Sequence, residues 1–286
     1  MPVLTEKQKM EFHETGCLVA PDAVTQSQLE SLRTTFETWV EESRAHDEAY
    51  GETYDNRPRF DVEPGHSADH PALRRVASPT ELSDAYWNVV TKSKMTEMVA
   101  DLIGEDLRFH HSKINSKLPK TATTVKWHQD FTFDPHSNDD LITALLFMDD
   151  VTEENGPLQI VPGTHTGKLY SLWQNGTFTG AIDEQDSRDL EARSISTTGS
   201  AGSVCLMHSR LAHASAANNS GKPRTLFISA IAAADAIPLS PNPVPSVHMG
   251  KIIRGGEPGR IRTVPFEMEL PEIPKGASFF VQQASQ

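Results

Sequence analysis

The sequence predicts a mainly β protein, a sandwich or barrel with a helical N-terminal region. Three observations lead there. Between about residues 107 and 233, short segments are bounded by turn residues. Two of them, LITALLFM and RTLFISAIAA, are apolar enough to be buried strands. No 3.6-residue period holds across these segments, as it would in amphipathic helices.

Taken in order, the first hundred residues read as mostly helical. Thr5 with Gln8, and Thr25 with Gln28, have capping-box spacing, in which each side chain satisfies an orphan N–H at a helix start. Leu29, Leu32, Phe36 and Val40 keep helical periodicity, so 26–44 is a helix. From 45 to 72 periodicity vanishes in an acidic stretch broken by Gly and Pro, GETYDNRPRFDVEPGHSADHP. A structureless loop of this length is expected to be a lid or disordered. A second helical block runs over 80–103, with Trp87, Val90, Met95, Met98, Val99 and Leu102 on its apolar side and Gly104 as its stop. Strands are expected at 107–118, 123–128, 141–149, 157–161, 203–208 and 224–233. The polar excursion 163–202 is too long for a hairpin turn and is the second candidate lid. A Pro- and Gly-rich tail follows from 238, with a weak strand near 262–270. The expected organisation is one domain over 1–286: a helical N-terminal region over 1–105, a β core over 106–235 and a C-terminal extension over 236–286.

Composition excludes several function classes. The 286 residues carry 26 Lys+Arg against 39 Asp+Glu, a net charge of −13. That balance disfavours a nucleic-acid backbone as partner. No apolar run approaches the roughly 20 residues of a membrane span, and no basic-then-apolar leader is present. Cys17 and Cys205 lie far apart, so no disulfide framework is expected, and Cys205 reads as a small buried hydrophobe. A cytoplasmic monomer or homodimer acting on a small molecule is expected, with neither nucleic acid nor membrane as partner.

The count that stands out is 12 histidines. His13 and His46 lie among polar neighbours and read as surface residues, and His66 and His70 fall in the acidic stretch. One local pattern separates itself, TVKWHQDF. In a strand, residues i and i+2 share a face, so His128 and Asp130 can offer an imidazole and a carboxylate to one ion. A third ligand from a neighbouring strand would complete a 2-His-1-carboxylate set, which leaves positions open and suits non-haem Fe(II). Either His208 or His213, in GSVCLMHSRLAHAS, can supply it. The apolar strand that follows begins with Arg224. A guanidinium aimed into an apolar interior needs an anion, and its fork matches a carboxylate.

WHQD, ENGPLQIVPGTH, GSVCLMH, HAS and the following arginine resemble the phytanoyl-CoA dioxygenase family of Fe(II)/2-oxoglutarate-dependent oxygenases. The resemblance covers roughly 8–235. It implies a double-stranded β-helix, or cupin-like jelly roll, with the N-terminal helices packed on one sheet. It implies His128, Asp130 and His213 as iron ligands and catalytic residues, with 2-oxoglutarate and O2 as cosubstrates. Arg224, eleven residues past the distal histidine, would pair with the far carboxylate of 2-oxoglutarate, and Ser215 would hydrogen-bond the same group. Asn115 and Thr143 are the further candidates for that pocket. Family members that act as halogenases replace the carboxylate of the H-x-D pair by a small residue. Asp130 is kept here, so a hydroxylase is implied.

The neighbouring residues have plainer readings beside functional ones. Trp127 alternates away from His128 and reads as core. His165 in VPGTH reads as a turn residue, and Asp149, Asp150, Glu153 and Glu154 as a solvated run. Phe131, Phe133 and His136 follow the metal motif and are candidates for the substrate mouth, as is Lys113, which shares a strand face with Asn115. The expected reaction is oxidation of an unactivated C–H bond of a small metabolite or natural-product intermediate, releasing succinate and CO2. Two other readings stay open: a cupin-like metal-binding protein or metal-dependent isomerase/hydrolase that uses no 2-oxoglutarate, and a non-catalytic 2-oxoglutarate sensor. Lys and Arg look scattered, with a thin cluster at Lys251, Arg254, Arg260 and Arg262, which disfavours an acyl-CoA.

Overall fold

The structure, a computed structural model, describes residues 2–119, 121 and 123–272. The last stretch of the expected C-terminal extension, 273–286, lies outside the described residues. The N-terminal region comprises α1 (Glu6–Thr15), β1 (Cys17–Ala20), α2 (Gln26–Ser43), β2 (Tyr50–Glu52), β3 (Pro58–Val62), β4 (Leu73–Ala77), α3 (Asp84–Lys92) and α4 (Lys94–Ile103). The core continues with β5 (Leu107–Lys117), β6 (Val125–His128), β7 (Leu141–Phe147), β8 (Leu158–Ile160), β9 (Trp173–Gln174) and β10 (Thr177–Phe178). Then follow α5 (Glu184–Glu191), β11 (Ile195–Thr197), β12 (Val204–His208), β13 (His213–Ser215), β14 (Arg224–Ala233) and β15 (Ile252–Arg254).

Two sheets face each other across the interior. The larger runs β1-β12-β7-β14-β5-β4-β3-β2, with β15 also on β5, and the smaller runs β11-β8-β13-β6. This is the mainly antiparallel double-sheet architecture expected of a jelly roll. β7 and β14 are buried at every position, because one face meets the helices and the other meets the interior. Leu32, Tyr86, Val90, Met95 and Val99 of the helices join Ile142, Leu146, Phe227 and Ile231 of the large sheet in one cluster. Burying such a Leu or Phe contributes about 1.5–3 kcal/mol each, which fixes the sheet against its helices. Both capping boxes form, with Gln8 and Gln28 reaching back to Thr5 and Thr25.

Three expectations are corrected. The stretch 45–72 is no lid: β2, β3 and β4 extend the large sheet edge. Its strands escape the apolar alternation test because buried positions carry charges. Arg59 pairs with Glu81 at 2.8 Å, and Arg74 pairs with Asp61 at 2.8 Å and Glu63 at 3.2 Å. The helical block 80–103 is two helices, divided at Ser93, whose backbone is extended and whose hydroxyl donates to the Val89 carbonyl. The segment 262–270 forms no strand. It lies alongside the 137 region through isolated contacts such as Val264 N to Ser137 O, while β15 makes the terminal pairing instead. Cys205 is buried as its reading expects, and it meets Cys17, 188 positions away, with both thiols free at 3.4 Å across β1 and β12.

The excursion 163–202 holds the β9–β10 hairpin, α5 and β11. Leu172, Phe178, Ile182 and Leu190 pack on Trp127, Ala212 and Ala214, so it covers the outer face of the small sheet. Trp127 is thereby core, as its alternation requires. Gln129 ties this cover to the metal-motif loop: its amide donates to the carbonyls of Lys168 and Arg210 and accepts from Tyr170 N. No helix among the described residues is long and apolar enough to cross a membrane.

Candidate functional site

Between the sheets lie two adjoining cavities of about 80 and 70 Å3. They share Arg75, Lys113, His128, Asp130, Thr143 and Ile228. His128, at the end of β6, stands directly opposite His213, the first residue of β13, in antiparallel register. Asp130 opens the 3-10 turn just after β6. Asp130 Oδ1 lies 3.7 Å from Nε2 of both histidines, and the two imidazole centroids are 4.0 Å apart.

The tautomers follow from backbone partners. His128 Nδ1 donates to the Lys126 carbonyl at 2.8 Å and His213 Nδ1 to the Leu211 carbonyl at 2.9 Å. A carbonyl can only accept, so Nδ1 carries a proton on each ring and Nε2 is the atom that each ring turns beside Asp130. Burial, and then the neighbouring His213, push His128 down to about 3, which keeps it neutral near pH 7. For Asp130 burial acts upward, but His213, His128, Lys113 and the Thr143 hydrogen bond outweigh it and hold the carboxyl below its ordinary value. Two neutral imidazoles and one carboxylate, with open space beyond, form the donor set of a facial metal site.

Thr143 lines the expected cavity and makes a further contact there. Its hydroxyl donates to Asp130 Oδ2 at 2.6 Å, so it orients the carboxylate. Loss of an outer partner of this kind typically costs 10–100-fold in metal affinity. Thr143→Val is therefore expected to weaken metal binding by roughly that factor without unfolding the chain, as read by competition with a metallochromic chelator.

The other expected residues gather in the first cavity. Arg224, at the start of β14, is buried and directs Nε and Nη2 to the Gly156 carbonyl at 3.0 and 2.7 Å. Burial lowers its pKa to about 10, so it stays charged at neutral pH. Gly156 has φ +81°, and a Cβ there would come within 2.7 Å of the Ala216 carbonyl. The ENGP turn thus needs glycine to bring its carbonyl to Arg224. Ser215 Oγ accepts from Lys117 Nζ at 2.8 Å, and Lys117 also reaches the Ala216 carbonyl. Asn115 lines the same cavity, with its Oδ1 buried and unpartnered among the described residues.

Lys117 is the residue that sequence reasoning missed. His111, Lys113, Asn115 and Lys117 follow period 2 along β5, and all four line the cavities, so extending the face from Lys113 and Asn115 by one step would have found it. Burial, and then Arg224, push Lys117 down to about 6. No carboxylate lies within ion-pair distance of Lys117 or Arg224 among the described residues. Two buried basic side chains and a hydroxyl make a seat for a dianion.

Of the substrate-mouth candidates, Lys113 and Phe133 line the second cavity. Phe131 is buried against Phe266, and His136 belongs to a buried group with His110 and Asp134; neither lines a cavity. In that group His110 Nε2 and Asp134 Oδ2 are in direct contact at 2.5 Å. Two ligands at about 2.0–2.2 Å from one ion stand further apart than that, so the group is not placed as a metal set; His136 Nδ1 meets the Asp134 carbonyl at 2.9 Å. His208 sits away from the metal set: its ring packs on Phe12 and His165, and its Nδ1 accepts from Arg210 N. His165 Nε2 meets the His13 carbonyl, tying down its loop as read from the turn. Asp149 accepts from Thr225 N rather than lying in a solvated run. No residue of 163–202 lines either cavity, so that segment is no lid in this structure.

A family model described as phytanoyl-CoA dioxygenase matches residues 12–226. A probable alpha-ketoglutarate-dependent hypophosphite dioxygenase of Stutzerimonas stutzeri is 38% identical over 171 residues, 58% of this chain and 59% of that protein. The L-proline trans-4-hydroxylase of Streptomyces griseoviridis is 23% identical over 240 residues, 77% of this chain and 83% of that protein. Among solved structures, EctD from S. alaskensis with 2-oxoglutarate and 5-hydroxyectoine superposes with a TM-score of 0.68 at 20% identity, covering 94% of this chain and 89% of that one. At such identity the likeness carries the fold alone.

Proposed function

Because the chain belongs to the phytanoyl-CoA dioxygenase family, we propose that it is an Fe(II)- and 2-oxoglutarate-dependent dioxygenase that hydroxylates a small molecule. The observation that carries this reading is the pairing of two sites in one chamber. A three-donor set with open positions adjoins a dianion seat built on the buried side chains of Arg224 and Lys117. A metal-binding protein or hydrolase on the same barrel has no use for the second site, and a sensor has no use for the first.

In this reading His128, Asp130 and His213 hold the iron, and Arg224, Lys117, Ser215 and Asn115 hold 2-oxoglutarate. Bound together, iron and 2-oxoglutarate activate O2 for oxidation of a C–H bond, releasing succinate and CO2. The chain's contribution is geometric and electrostatic. The Lys126 and Leu211 carbonyls fix both imidazoles, Thr143 fixes the carboxylate, and the apolar walls of Leu145, Leu158, Leu226 and Ile228 exclude water. Asp130 supports hydroxylation over halogenation, since it fills the position that a halide would need. The test is succinate release from 2-oxoglutarate by the purified protein with Fe(II), ascorbate and O2. Release stimulated by a metabolite supports the reading, and activity retained without O2 and 2-oxoglutarate contradicts it.

Lys117 gives this reading a pH signature. With a pKa near 6 in the open site, it is charged below that pH and mostly neutral at 7.5. A dicarboxylate beside it favours the charged form, so binding takes up a proton. Affinity is expected to fall with rising pH above about 6, by up to tenfold per unit, until the bound-state pKa is reached. Calorimetry in buffers of different ionisation enthalpy is expected to show uptake approaching one proton at pH 7.5, absent in Lys117→Met.

A further inference from the structure

We infer that the substrate carries an oxyanion, phosphorus-based or carboxylate, seated in the second cavity by Lys113 and Arg75. The inference rests on the proposed function and names the substrate class of that site. The two cavities together are lined by five cations, Arg57, Arg75, Lys113, Lys117 and Arg224, and by two carboxylates, Asp130 and Asp134. Lys117 and Arg224 belong to the dianion seat, and Asp130 to the metal set. That leaves Arg57, Arg75 and Lys113 beside Asp134, which turns one oxygen to His110 at 2.5 Å.

The carboxylates that balance the arginines stand beside them in the sheet, with Asp61 opposite Arg75 in register. Asp61 is held by Arg74 through both oxygens, at 2.8 and 3.3 Å, and attracts Arg75. Asp55 pairs with Arg57 at 2.6 Å. None of these carboxylates lines a cavity. Lys113 is partly buried, and no hydrogen bond or ion pair joins it to any described residue. The field inside this chamber therefore favours an anion, although the whole chain carries −13.

Two more features narrow the class. Arg75 and Lys113 lie on adjacent strands, with Arg75 paired to Asn115 in register, so both reach the cavity from the wall facing the metal set. The second cavity also has apolar lining, with Phe133, Leu141, Ala230, Val244 and Ile228, the register partner of Lys113. A cavity of about 70 Å3 takes a small molecule: an oxyanion on the cations, with its oxidisable C–H end toward the histidines. The cluster of Lys251, Arg254, Arg260 and Arg262 plays no role there. Arg254 is bound to Glu97, Arg262 to Asp235 and Asp140, and Lys251 contacts His248.

The experiment is anaerobic calorimetry on protein loaded with Fe(II) and 2-oxoglutarate, titrated with methylphosphonate, propionate and the neutral propionamide. At least one oxyanion is expected to bind tenfold or more tighter than propionamide, and the tighter of the two identifies the source. Lys113→Gln and Arg75→Gln are each expected to weaken that binding at least tenfold, while Lys113→Arg, which keeps the charge, retains it. Oxyanions that bind no tighter than propionamide, or a Lys113→Gln protein with affinity within twofold of the parent, would overturn the inference. The 2-oxoglutarate titration of the unsubstituted protein reads the underlying function separately. Should it show no binding, the anion titrations are made on the bare chain. There, weakening by Lys113→Gln but not by Arg224→Gln still supports the seat, and the reverse pattern overturns it.

Discussion

Asp130→Ala is expected to abolish iron binding and, with it, all 2-oxoglutarate turnover. Asp130 contributes the only charge in the three-donor set, and Oδ1 stands 3.7 Å from both Nε2 atoms. Two neutral imidazoles alone hold a hard divalent ion weakly. The loss is expected to exceed the roughly 10–100-fold typical of an outer partner, so it outranks Thr143→Val. The fold survives, because Asp130 lies in a turn beyond β6 and its charge opposes burial rather than supplying core packing. Equilibrium dialysis of Fe(II) and far-ultraviolet circular dichroism distinguish a lost site from a lost fold. A variant that keeps stoichiometric iron would remove Asp130 from the ligand set.

Arg224→Ala acts on the cosubstrate instead. Truncating one partner of a buried, hydrogen-bonded charge pair costs about 2–5 kcal/mol, so the KM for 2-oxoglutarate is expected to rise at least about thirtyfold. Iron affinity stays close to that of the parent, because Arg224 touches Gly156 and not the metal set. Some of the cost falls on stability, since the Gly156 carbonyl is left without its donor, worth about 1–3 kcal/mol when buried. Arg224→Lys keeps the charge without the fork and is expected to fall between the two. Steady-state kinetics with varied 2-oxoglutarate, alongside thermal unfolding, separate these contributions.

What the sequence shows and hides follows from how each feature is encoded. The long apolar strands β7 and β14 match expectation within two residues at each end, because both faces are buried and nothing polar interrupts them. His128 and Asp130 are legible because their spacing is that of a strand face, and Gln129 stays extended although β6 ends at His128 and Asp130 opens the turn. His213 is harder: β13 is three residues long, too short for any periodicity, and family spacing alone favours it over His208. The strands β2 to β4 are hidden because their buried positions are ionic. The cationic chamber is hidden for a different reason. Arg57, Arg75, Lys113 and Lys117 come from neighbouring strands or their flanks, singly and at wide spacing, and converge only once the sheet is paired. Linear clustering draws attention to 251–262, where the side chains are instead satisfied by surface carboxylates and a histidine.

The most direct measurement is equilibrium binding of 2-oxoglutarate to the Fe(II)-loaded protein without oxygen, which needs no knowledge of the substrate. One 2-oxoglutarate per chain is expected, dependent on the metal, lost with Asp130→Ala and weakened at least about thirtyfold by Arg224→Ala. Absence of binding by the unsubstituted, iron-loaded chain would contradict the assignment of this chamber to an Fe(II)/2-oxoglutarate oxygenase.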